Sequence, residues 1–335
     1  MKKKSVFSLP IFALLSCLLV SVRVAGFQTQ QPQPKLSGDE MKAVTAINAQ
    51  TDPAEKLKGV ADFIKKYPKT PIRAQLLDTV AGEIAKVKDP AQAVSFAETA
   101  QTIFTNEDEQ ATVQSMLLDS YLLAGRADDV FKVGTAVLAK NPDEVHPLVQ
   151  MSFVAADQVR KQNTKYVQQG LQAGLKAIEL IEADKKPAKM DAANWEKHKA
   201  QLPLVYQQVA ILALIGGNPA EARTKAVKAT AIGPNDPTNF AVLGMVINND
   251  YMQLAQSYKT MPEGKDKEAA LKKIEGLIDE IIDAYAHAVG LAIGKPEHQP
   301  MMQQLTVDLT SYYKFRHNQS TEGLQQLIDK YKPKP

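Results

Sequence analysis

The chain has 335 residues, 44% of them hydrophobic and 23% charged, and its 40 basic and 37 acidic side chains leave a formal charge of +3. That length holds one large core or several modest ones without a disulfide or metal staple. The composition excludes collagen, wholesale disorder and a polytopic membrane protein. So small a charge on so long a chain provides no broad basic surface, and nucleic acid is not an expected partner.

The first residues carry the basic excess. Lys2, Lys3 and Lys4 precede an almost wholly apolar or small run over 6–22, and Val24, Ala25 and Gly26 close it with small or branched residues. This is the three-part pattern of a secretory signal peptide over 1–26, and it predicts an exported protein, periplasmic or secreted. A transmembrane anchor is the competing reading, disfavoured because the run falls short of the ~20 residues a span needs and contains Pro10. A lipoprotein is the third. Leu14-Leu15-Ser16-Cys17 fits a loose lipobox and would put a lipid on Cys17, but Leu18-Leu19-Val20 continues the apolar run beyond it. Lys2, Lys3, Lys4 and Arg23 leave with the leader, so the mature chain has 36 basic against 37 acidic groups and no cysteine. Disulfides, thiolate catalysis, cysteine-ligated zinc and iron–sulfur clusters are thereby excluded. Residues 27–38, which include QTQQPQPK at 28–35, read as a flexible linker.

From 39 to 332 the periodicity is helical and no strand alternation occurs. Small residues recur at a fixed spacing along this stretch: Ala93, Ala97 and Ala100; Gly170, Gly174 and Ala177; Ala222, Ala226 and Ala229 before Pro234. The same spacing returns as Ala284, Ala288 and Leu291 before Pro296, and Leu117, Tyr121 and Gly125 precede Pro142. Two antiparallel helices approach closely only where side chains are small, and bulkier residues then fill the gap to the next pair. Proline ends the second helix because it lacks an N–H and clashes with the preceding turn. Asp52-Pro53, Asp89-Pro90, Asn218-Pro219 and Asp236-Pro237 each set a capping residue before a proline at the first helical position. These signals predict about fourteen helices in seven hairpins between 38 and 332. Residues 52–68 read as a second helix, and 184–201, with Trp195, fits no repeat position.

In front of one such unit stands Phe240-x2-Leu243-Gly244-x2-Ile247. An aromatic-x2-Leu-Gly first helix, a second helix of spaced small residues and a closing proline together resemble the tetratricopeptide repeat. The resemblance implies an all-α, right-handed helical solenoid; an irregular helical bundle is the alternative. It also implies a concave surface of stacked first helices that binds a peptide or a partner helix. Carried over by position, the surface residues of one unit are Thr112, Ser115, Asp119 and Leu122. Those of another are Thr238, Ala241, Met245 and Asn248. Neither set forms a charged clamp for a peptide carboxylate.

One unit is too long. Opened at Asp236-Pro237, a repeat of about 34 residues would close near 268, whereas the next proline of the pattern is Pro296. The surplus predicts an elongated hairpin over 237–296, each helix longer by about 21 Å. Its seams are Phe240, Leu243, Ile247, Tyr251, Leu254 and Tyr258 against Leu271, Ile274, Ile278, Ile281 and Tyr285. They can pair as an antiparallel coiled coil projecting from the body, or they can face neighbouring repeats.

Chemistry is sparse. His146, His198, His287, His298 and His317 share no i,i+3 or i,i+4 spacing, so no metal site is expected and each reads as a surface or loop histidine. Asp128-Asp129 and Asp143-Glu144 fall at helix starts, where they favour the dipole. No nucleophile elbow, dinucleotide fingerprint or P-loop is present, and Trp195, Tyr312 and Tyr313 read as core before binding anchors. The sequence therefore predicts an exported, non-enzymatic protein-interaction scaffold of the cell envelope with no cofactor, no metal and no membrane span in the mature chain. The alternatives are a lipid-tethered assembly factor, through Cys17, and an accessory module of an envelope enzyme.

Overall fold

A computed structural model describes residues 35–188 and 190–333; the leader, Cys17 and most of the linker lie outside the described residues. Fifteen α-helices fill this span, and no strand occurs among the described residues. Seven hairpins follow one another: α1 (Gly38–Ala49) with α2 (Pro53–Lys66), α3 (Arg73–Ile84) with α4 (Pro90–Ile103), and α5 (Gln110–Leu123) with α6 (Ala127–Lys140). Then come α7 (Val145–Arg160) with α8 (Val167–Glu182), the inserted α9 (Ala192–Ala200), and α10 (Leu202–Ile215) with α11 (Pro219–Ile232). The series ends with α12 (Pro237–Tyr258) and α13 (Lys265–Ala292), then α14 (Gln299–Arg316) and α15 (Leu324–Lys330).

Every substantial helix contact lies within a hairpin or between neighbouring hairpins. That nearest-neighbour stacking is what defines a solenoid, and the fold is a tetratricopeptide-like array of helical hairpins. The helix starts follow from the chemistry of their caps. Asp52, Asp89, Asn218 and Asp236 each accept a hydrogen bond from a backbone N–H of the first turn, ahead of prolines that need no such partner.

The recurrent small residues lie at the crossings. Ala97, Ala100, Ala177, Ala222, Ala226, Ala229 and Ala288 are fully buried. A Cβ on Gly170 would fall 2.1 Å from that of Ala155 on α7, and one on Gly174 would fall 2.4 Å from Val209 Cγ2 on α10. One helix thus approaches two others at distances that no side chain permits.

The sixth hairpin is the elongated one, with 22 residues in α12 and 28 in α13 against 14 in α11. The two seams meet largely as expected: Phe240, Ile247, Ile274, Ile278, Ile281 and Tyr285 are buried, with Leu243, Tyr251, Leu254 and Tyr258 packed on them. Leu271 departs from the expectation. It is 42% exposed, and Ala270 turns inward instead. Among the described residues, ion pairs and ring contacts from this hairpin to its neighbours reach only as far as Tyr251 and Glu275. The tip continues past Glu275 for about 15 Å of α13.

The hydrophobic core forms two clusters that meet at α12. Val242 and Val246 complete the cluster that begins at Ile47, while Phe240 and Ile247 belong to the one that ends at Ile328. A polar chain whose members Gln207, Gln208 and Asn239 are buried crosses the same junction. Arg160 donates to Gln208, Gln208 to Gln207, and Gln207 to Asn239, whose own amide donates to the carbonyls of Ala229 and Gly233.

Candidate functional site

The first helices of the hairpins are α1, α3, α5, α7, α10, α12 and α14, and three of them, α5, α10 and α12, differ from their partners in charge. Between them α5, α10 and α12 carry two charged side chains, Asp119 and Asp250. Asp250 is paired with Arg223 of α11 at 3.0 Å. Their partners α6, α11 and α13 are rich in lysine, aspartate and glutamate. Over α5, α10 and α12 the first-helix face is thus built mainly from amides, hydroxyls and apolar groups.

On α5, Thr112 and Ser115 are half-exposed, and the Ser115 hydroxyl donates to Ala111 O at 3.1 Å. Leu122 packs on the core, and exposed Asp119 reaches the neighbouring first helix, accepting from Gln150 Nε2 at 2.5 Å. On α12, Thr238, Ala241 and Asn248 are half-exposed and Met245 is exposed. Asn248 is occupied, since its Oδ1 accepts from the Tyr312 hydroxyl of α14. The residues singled out from the sequence therefore divide in two. Asp119 and Asn248 tie adjacent first helices together, while Thr112, Ser115, Thr238 and Met245 present themselves to the surface.

Further large apolar side chains are exposed on these first helices. Met252, one heptad beyond Met245, is 58% exposed, and on the adjacent α14 Val307 and Phe315 are 61% and 64% exposed. The Met245–Met252 spacing was available in the sequence; the neighbouring position of α14 was not.

Two histidines correct the surface-or-loop expectation. His198 on α9 is buried, its ring 5.5 Å from that of His146 on α7. Burial, together with His146, pushes the His198 imidazole down to about 4. His146 Nε2 lies 3.1 Å from Asp119 Oδ1 but out of line, and it and Gln150 Oε1 are buried without a hydrogen bond. His287 is the second correction. It stands in a stack between Phe240 and Tyr331, with centroids 3.5 and 4.0 Å away, and burial lowers its pKa. Spacing within one helix could reveal neither contact.

Trp195 and the tyrosine pair are structural. Trp195 is 4% exposed, and its indole N–H donates to Asp184 Oδ1 at 2.9 Å. Buried Tyr313 donates to Glu322 O at 2.7 Å. An open depression of about 360 Å³ lies over Phe240, Leu243 and Ile247, with Asp279, Glu280 and Asp283 on its rim. All three carboxylates already have partners, in Arg316, Arg223 and Tyr331. Among the described residues, no three His, Cys, Asp or Glu side chains are placed to hold a metal ion. No helix there is long and apolar enough to cross a membrane.

No family model matches the chain, and no curated relative matches it. Solved structures do. A tetratricopeptide repeat protein from Parabacteroides merdae aligns over 81% of this chain and 100% of its own, at 11% identity and a TM-score of 0.43. Human IFIT1, in a dimer with m7Gppp-AAAA, aligns over 89% of this chain and 74% of its own, at 13% identity and a TM-score of 0.33.

Proposed function

We propose that the protein is an exported, non-enzymatic scaffold of the cell envelope that docks a partner protein along its first-helix face. The observation that carries this reading is the chemical asymmetry of three hairpins: α5, α10 and α12 carry two charged side chains between them, whereas their partners α6, α11 and α13 are strongly charged. Charged side chains resist desolvation, so a face without them is the one that a partner covers at least cost. Met245, Met252, Val307 and Phe315 supply exposed apolar surface there. Recognition is then by shape and short-range contacts, which suits a neutral mature chain. Export rests on the basic start, the apolar run and the small residues before position 27. With so little basic surface, a protein partner is favoured over nucleic acid.

Site-specific photo-crosslinking in intact source cells tests this reading. A crosslinker at Ser115 or Met245 is expected to trap one discrete partner that a crosslinker at Lys132 or Lys228, on second helices, does not. Equal products from both faces, or none from the first, would overturn it.

A further inference from the structure

Neighbouring hairpins are elsewhere joined by four to six residues, as at 67–72, 104–109, 141–144 and 233–236. Between α8 and α10 the connection runs over 183–201 and contains a helix of its own, α9, which belongs to no hairpin. Two side chains hold this helix down. Trp195 and His198, three residues apart, are 4% and 6% exposed, whereas Ala192, Ala193, Asn194, Glu196, Lys197 and Ala200 are exposed. His198 rests against His146 of the first helix α7, whose Nε2 lies 3.1 Å from Asp119 Oδ1 of α5.

The fit beneath α9 is incomplete. His146 Nε2, 3.1 Å from Asp119 Oδ1 but out of line, makes no hydrogen bond, and neither does the buried Gln150 Oε1 of the same helix, a cost that a better-matched occupant would remove. The strap is also hinged. Gln201 caps both α9 and α10 and is followed within two residues by Pro203, so the two helices meet at a break.

We infer that α9 is a resident ligand of the first-helix face, seated where an amphipathic partner helix docks. That partner presents an aromatic side chain and, three residues on, a neutral hydrogen-bonding side chain. The inference rests on the reading of that face as the docking surface and names the kind of partner it takes. The chain's own segment already occupies this place, with His198 against His146 of α7 and Trp195 joined to the hydrophobic core. Such anchoring is the usual grammar of a helix held in a groove. While tethered, α9 competes at high effective concentration, so a free helix binds well only once its anchors are lost.

The test uses a labelled synthetic peptide covering 187–201 and the full chain carrying Trp195→Ala and His198→Ala. The peptide is expected to bind this double variant at least tenfold more tightly than it binds the wild-type chain. A peptide with alanine at both anchor positions should not bind. Absence of binding to a double variant with unchanged helicity and melting would overturn the inference, as would equal binding to the wild type. Should the variant fail to fold, hydrogen exchange on the wild-type chain decides. Amides of α9 should exchange at least 100-fold faster than those of α10, and equal protection would refute a displaceable strap. A bound peptide with no crosslinked partner would remove the scaffold reading and leave the strap; the reverse result would remove the strap alone.

Discussion

The imidazole of His198 lies edge-on to that of His146, with the ring centroids 5.5 Å apart and 52 positions of sequence between them. Burial disfavours a protonated His198, and the neighbouring His146 adds to the effect. A neutral His198 is what the docked α9 accommodates. Docking is therefore at full strength above pH 6.5 and weakens as the pH falls toward 4, by about 2 kcal/mol at pH 5. Trp195 is the only tryptophan of the chain, so its emission reports the strap directly. Emission should move to the red between pH 6.5 and 4, and His198→Gln should flatten that response. An unchanged spectrum across the window would contradict the assignment.

Two glycines in long helices should respond to the same substitution with opposite signs. At Gly170 a Cβ meets Ala155 Cβ at 2.1 Å, an atom fixed to backbone, so α7 and α8 must separate. Gly170→Ala should destabilise by ~1–3 kcal/mol. Gly276 is exposed on α13 with nothing within 4 Å of its added Cβ, and Gly276→Ala should stabilise by ~0.5–1 kcal/mol. Urea midpoints of the two variants measure both.

Asn239 is fully buried and makes hydrogen bonds of 2.9 Å to Gln207, 2.9 Å to Gly233 O and 3.2 Å to Ala229 O. Asn239→Ala should cost ~1–3 kcal/mol, because Gln207 and the carbonyls of Ala229 and Gly233 lose their partner. Asn239→Asp should cost more, since a carboxylate would face two carbonyl oxygens. Thermal unfolding ranks the pair, and an Asp variant as stable as wild type would disprove the arrangement.

Because the core divides at α12, damage should stay local. Ile281 is fully buried in the C-terminal cluster, and Ile281→Ala should cost ~2–5 kcal/mol. Hydrogen exchange should accelerate in α13, α14 and α15 and leave α3 to α6 near wild-type protection, as expected of a one-dimensional array. Uniform acceleration would show one cooperative unit.

Much of this fold could be read from the sequence because its signals are local. Asp-Pro and Asn-Pro starts act within one turn, and the Ala222-Ala226-Ala229 spacing is fixed by the helical repeat itself, so both placed helices correctly. The surplus before Pro296 likewise gave the long hairpin. The site was only partly legible. The exposure of Thr112, Ser115, Thr238 and Met245 agrees with the positions carried over from the repeat resemblance, but the His146–His198 contact depends on how separate helices stack. Leu271 shows the same limit within one hairpin. Its spacing fits the seam, yet near the tip no neighbouring helix encloses the pair, and Ala270 turns inward in its place.

Binding through the weakly charged face of α5, α10 and α12 is tested most directly by the affinity of the crosslinked partner for two paired variants, measured at low and at physiological salt. Ser115→Lys with Met245→Lys should weaken binding at least tenfold. Lys132→Glu with Lys228→Glu should leave it within about twofold, with little dependence on salt in the wild type. Loss of binding in the second pair alone, together with a steep fall of affinity with salt, would place recognition on the charged second helices and contradict the account.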